Sequence, residues 1–81
     1  MKNNFRIRLC SDLEYEEMVV DVCYENHTVA TITQEEGINK MIIEIYPPPE
    51  GLLRWKFSVD DFTDVIQSAK KRLIEMQKLP D

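Results

Sequence analysis

The sequence predicts an α+β domain, a five-stranded antiparallel meander closed by one C-terminal helix packed on one face. Three observations carry this expectation. First, the stretch Ser58 to Gln77 places Phe62, Val65, Ile66, Ala69, Leu73 and Met76 on one stripe, with Val59 and Ile74 at its margins. Steps of three and four match the 3.6-residue turn of an amphipathic helix, and such a stripe needs a partner surface. Second, the chain before it runs in short alternating or β-branched pieces broken by turn residues, the pattern of strands. Third, the turns are short, and strands joined by short turns usually pair with their neighbours.

Strands are expected at about 4–9, 17–24, 28–34, 41–46 and 54–57, and the helix at about 59–77. In the first strand Phe5, Ile7 and Leu9 share one face and Arg6 and Arg8 the other. In the second, Met18, Val20, Val22 and Tyr24 oppose Val19, Asp21 and Cys23. A turn at Glu25-Asn26-His27 follows, with Asn26 the residue best suited to a left-handed backbone. The register of this hairpin stays open. A two-residue turn pairs Val22 with Val29, whereas a three-residue turn pairs Val22 with Ala30 and Val20 with Ile32, and the slip exchanges the faces of the third strand. The turn around Gly37 leads to the fourth strand, with Met41, Ile43 and Ile45 inward and Ile42, Glu44 and Tyr46 outward. Pro47-Pro48-Pro49 ends it, because proline cannot donate to a ladder. Trp55 and Phe57 point inward from the fifth strand.

The helix carries its own boundaries. Ser58 is placed to cap its start, with Asp61 three residues on, and Asp60, Asp61 and Asp64 lie at the positive end of the dipole. Lys70, Lys71, Arg72 and Lys78 lie toward the negative end, and Pro80 follows.

A chain of 81 residues holds one domain, residues 1–81, with a core near the lower limit of self-sufficiency. An apolar content of 43% suffices for that core and argues against disorder. The N-terminus lacks the apolar run of a signal peptide, and no stretch has the length of a membrane span, so a cytoplasmic location is expected. Cys10 and Cys23 lack CxxC spacing and read as reduced thiols.

The net charge of −5 argues against nucleic acid as a partner. Its distribution is more informative. From Leu9 to Asn39 there is no Lys or Arg, while Asp12, Glu14, Glu16, Glu17, Asp21, Glu25, Glu35 and Glu36 fall inside that window, and Lys2, Arg6 and Arg8 precede it. Such a surface steers a basic protein partner. On charge alone, Glu14, Glu16, Glu17, Asp21, Glu25, Glu35 and Glu36 are the candidate contacts.

No catalytic or metal site is expected. His27 is the only histidine, and a Cys–His pair with Cys23 would need a nucleophile motif or oxyanion loop that does not accompany it. One His and two scattered Cys make no zinc pattern, the carboxylates do not follow calcium-loop spacing, and no cofactor motif is present. Lys70-Lys71-Arg72 reads as dipole compensation rather than a nucleic-acid patch. The outward residues Val19, Cys23, Ile42 and Tyr46 suggest at most weak self-association, so a monomer or weak homodimer is expected.

The succession Met18–Tyr24 (MVVDVCY), Thr28–Ile32 (TVATI), Met41–Pro49 (MIIEIYPPP), Trp55–Phe57 (WKF) and a closing helix with Ala69–Leu73 (AKKRL) resembles small bacterial immunity proteins of contact-dependent growth inhibition and polymorphic toxin systems. The resemblance spans residues 5 to 74. It implies a cytoplasmic, non-enzymatic antitoxin that occludes the active site of a cognate toxin domain, frequently a basic nuclease. That family has no shared contact motif, so no contact residues are carried across. The readings set against it are a small enzyme or enzyme subunit using His27 and Cys23, and a structural or regulatory adaptor.

Overall fold

The computed structural model describes residues 4–11 and 13–77. Four strands, β1 (Phe5–Cys10), β2 (Val19–Tyr24), β3 (His27–Thr33) and β4 (Ile42–Ile45), precede one helix, α1 (Val59–Gln77). A 3-10 turn at Ile38–Lys40 lies between β3 and β4. The sheet is antiparallel in the order β1-β2-β3-β4. Asp12, Lys2, Lys78 and Pro80 lie outside the described residues.

The fifth strand expected at 54–57 does not form; among the described residues the sheet has four strands. After the three prolines, a turn closes through Leu52 N–H donating to Pro49 O (3.1 Å), with Gly51 at φ 94°. The chain then crosses the sheet on the helix side instead of extending an edge. Trp55 and Phe57 still point inward. The Trp55 indole Nε1–H donates to Tyr46 O at 2.9 Å. Phe57 sits with ring centroids 4.8 Å from Phe5 and 5.6 Å from a stacked Phe62. Aromatic packing, not a ladder, holds this segment.

The β2–β3 hairpin combines features of both expected registers. Its turn has two residues, since Tyr24 pairs with His27 and Cys23 with Thr28, yet Val22 pairs with Ala30 and Val20 with Ile32. Val29 is the extra residue of a β-bulge between them. Without the bulge, Thr31 would face the apolar core and Ile32 the polar side of the sheet. With it, Val22, Ala30, Val20 and Ile32 all join the core, and Thr31 stands beside Asp21. The left-handed residue is Glu25 (φ 55°), not Asn26. Two-residue hairpin turns require positive φ at their first central position, and Glu25 occupies it.

Helix α1 lies over β1 and β2. Val65, Ala69 and Leu73 are fully buried against Phe5, Val20, Val22, Val29, Ala30 and Ile32. Phe62 and Ile66 are half-buried at the edge of this contact, and Val59 is exposed. At ~1.5–3 kcal/mol per fully buried large apolar side chain, this seam is the main apolar contribution to the fold. The cap forms as expected, with Asp61 N–H donating to Ser58 Oγ at 3.3 Å. The last turn of α1 holds no basic residue, so Lys70, Lys71 and Arg72 sit too early for strong dipole compensation.

Ile43 and Ile45 pair with Ile32 and Ala30 and so stand on the helix side, as expected, but both remain exposed. The helix does not reach over β4. Val19, expected on the outward face, is fully buried there, opposite Cys10 in the ladder.

Candidate partner-binding surface

The charge-map residues divide into three groups. Glu16 and Glu17 meet Glu35 at one end of the sheet. There the Glu35 carboxylate accepts Glu16 N–H at 2.9 Å and Glu17 N–H at 2.8 Å, one on each oxygen. A glutamate in the turn after β3 therefore pins the β1–β2 connection. Glu14 and Glu36 flank the pinned pair in sequence, and all five of these glutamates are exposed. Two separate loops thus present carboxylates on one end of the molecule.

Asp21 is placed differently. It sits mid-strand on the face opposite the helix, and its carboxylate accepts three donors. Arg8 Nη2 lies 2.8 Å from Oδ2, Thr31 Oγ1 donates to Oδ1 at 2.8 Å, and Cys10 Sγ lies 3.5 Å from Oδ2. The hydrogen bond and charge of Asp21 raise the Arg8 pKa above its ordinary value. With only 14% of its side chain exposed, Asp21 organises the face and is little presented to a partner. Glu25 belongs to the opposite end, in the β2–β3 turn, where its carbonyl accepts from Arg6 Nη2 at 3.2 Å.

A side-chain chain that sequence reasoning missed extends from Asp21 across the sheet. Thr31 Oγ1, which donates to Asp21 Oδ1, also lies 2.8 Å from Tyr46 Oη, and the Tyr46 hydroxyl reaches Glu44 Oε1 at 3.3 Å. The Thr31 bond lowers the phenol's pKa, but burial and the Glu44 and Asp21 carboxylates outweigh it, leaving Tyr46 above its ordinary value. With the two-residue turn in place, the bulge is what brings Thr31 to this face, and the bulge has no signature in the residues around Val29.

His27 pairs with Tyr24, whose ring packs on Phe5 and Phe57 on the helix side. Cys23 is the next residue of β2 and points to the other face, because side chains alternate along a strand. The two therefore stand on opposite faces of the sheet and make no nucleophile–base pair. Cys23 is opposite Arg6, four residues along β1 from Cys10. Four residues span about 13 Å of strand, beyond the ~7 Å Cα separation a disulfide tolerates. Neither cysteine is in a disulfide. Among the described residues, no group of three His, Cys, Asp or Glu side chains converges as a metal site. Nor is any helix long and apolar enough to cross a membrane.

His27, Arg54 and Lys56 line an open cleft of about 320 Å³ with Trp55, Phe57 and Leu52. A second cleft, about 220 Å³, lies between the helix and β4. No protein-family model, curated protein or solved structure matches this chain.

Proposed function

We propose that this chain is an immunity protein, a cytoplasmic, stoichiometric inhibitor that binds a basic toxin domain and covers its active site. The observation that carries the reading is the acidic end. Glu16, Glu17 and Glu35 come from two loops held together by the Glu35 carboxylate, with Glu14 and Glu36 beside them. Ordered carboxylates on a fixed end lose less freedom on binding than the same charges on a mobile tail, and can occupy the place of substrate phosphates on a nuclease. The pattern-level resemblance to toxin immunity proteins points the same way. Asp21 and Glu25 fall outside this contact, so the proposed docking set narrows to Glu14, Glu16, Glu17, Glu35 and Glu36.

The test is the association rate with a cognate toxin domain. Charge reversal at Glu14, Glu16, Glu17 and Glu36 leaves the Glu35 staple intact, because residues 16 and 17 contribute only backbone donors to it. The wild-type on-rate should fall as salt rises, with screening over ~8 Å at physiological strength, and the reversed variant should associate more slowly with a flatter salt dependence. An on-rate indifferent to both salt and reversal overturns the electrostatic docking. Replacing His27, Cys10 and Cys23 together should leave protection of cells intact; loss of protection with the fold preserved would favour catalysis instead.

A further inference from the structure

We infer that β4 is a self-association edge, and that two copies of this chain pair through antiparallel β4 strands in one register, centred on Ile43. The two edges of the sheet differ. β1 carries Arg6 and Arg8, and charged side chains on an edge strand discourage pairing. β4 carries Ile42, Ile43 and Ile45, which are 51%, 40% and 58% exposed, with Glu44 its single charge.

The backbone of β4 is also prepared. Tyr46 N–H donates to Val29 O at 2.9 Å, and the ladder continues with Glu44 opposite Thr31 and Ile42 opposite Thr33. Bonding alternates along an antiparallel strand, so Tyr46, Glu44 and Ile42 bond inward to β3. The N–H and C=O groups of Ile43 and Ile45 therefore point to the open edge.

Only a few registers use those groups when the strand meets a copy of itself. Centring on Ile45 sets Ile43 against Pro47 of the second copy, which has no N–H to give. Centring on Glu44 sets two Glu44 carboxylates directly opposite each other, in the close non-hydrogen-bonded position where like charges repel. Centring on Ile43 avoids both faults. Ile43 meets Ile43 of the second copy, Ile45 meets Met41, and the diagonal brings Lys40 toward Glu44. The apolar side chains of Ile43 and Ile45 then meet their counterparts on the helix side, where the cleft lined by Ile38, Met41, Ile43 and Ile66 continues the surface. This self-complementarity, repeated by the two-fold axis, identifies the second copy as the occupant. The contact is short and its dimer weak.

The experiment is sedimentation velocity of the whole chain over about a hundredfold range of concentration, where mass action reveals a weak dimer. The wild type should pass from monomer toward dimer. Ile43→Pro removes an outward N–H without touching the bonds to β3, as edge strands tolerate. It should weaken the dimer about tenfold or more, through the two symmetry-related hydrogen bonds it deletes. Hydrogen exchange on the unmodified chain gives an independent reading: the Ile43 and Ile45 amides should slow as concentration rises, while Ile42 and Glu44 should not change. A wild type that stays monomeric throughout overturns the proposal. So does a proline variant that dimerises as tightly, or a dimer whose Ile43 amide exchanges at the monomer's rate.

Discussion

Glu35→Ala isolates the contact that builds the acidic end. The side chain is exposed, so by accessibility alone its loss would be worth within ~0.5 kcal/mol. Its two oxygens, however, accept the Glu16 and Glu17 amides at 2.9 and 2.8 Å. A hydrogen bond to a charged group contributes ~1.5–3 kcal/mol where water is excluded, and less at a surface where water replaces it. Together the two are worth about 1–2 kcal/mol here. An 81-residue domain has ~4–12 kcal/mol of total stability, and each kcal/mol moves its Tm by ~4–8 °C. Glu35→Ala should therefore lower the Tm by about 5–15 °C. Removing one negative charge from a cluster of carboxylates acts in the opposite direction, and Glu36→Ala controls for it, since the neighbouring acid loses the same charge without the staple. Glu35→Gln keeps one carbonyl oxygen and should fall between the two. Thermal melts followed by circular dichroism give the global effect. Hydrogen exchange should locate it, with the Glu16 and Glu17 amides losing protection. Equal melts for Glu35→Ala and Glu36→Ala, with unchanged exchange at residues 16 and 17, would refute the staple.

Three further outcomes test the fold. Leu73→Ala should cost ~2–5 kcal/mol in denaturant melts, because Leu73 is fully buried in the helix–sheet seam, while exposed Lys71→Ala should cost little. Glu25→Asn should stabilise by about 0.5–1 kcal/mol, since asparagine accepts the φ of 55° at lower steric cost; a loss of stability would contradict the turn geometry. Tyr46 has a folded pKa above its unfolded value, so its contribution is present below the unfolded pKa and lost as pH rises through the folded one. As pH rises above the ordinary phenol value of 10.0, the wild type should lose stability relative to Tyr46→Phe, and parallel pH profiles for the two proteins would count against the Thr31–Tyr46–Glu44 chain.

The acidic window was legible as a count of charges, but its members meet different fates. Glu16, Glu17 and Glu35 are far apart in sequence and adjacent in space only because the meander brings the β1–β2 connection beside the turn after β3. Asp21 is drawn into a network with Arg8 and Thr31, partners that depend on cross-strand register. Charge density can be read along a chain; which charges find donors cannot.

What the sequence determined by itself is local. The helix runs over the residues its apolar steps mark out, Val59–Gln77, with Ser58 capping it, and four strands form where alternation or β-branching placed them. These follow from interactions within a few residues: periodicity against a core, caps, and turn conformation. The tertiary structure decided the rest. It left residues 54–57 outside the sheet, because aromatic contacts with Phe5, Tyr24 and Phe62 held Phe57 between sheet and helix instead of on an edge. It inserted the bulge at Val29, because with a two-residue turn that slip is needed to bury Ile32 and give Thr31 to Asp21. It also left Ile43 and Ile45 exposed, because one helix is wide enough for β1 and β2 but not for β4. Each choice weighs contacts between segments distant in sequence, and their free energies depend on the assembled geometry of the whole chain.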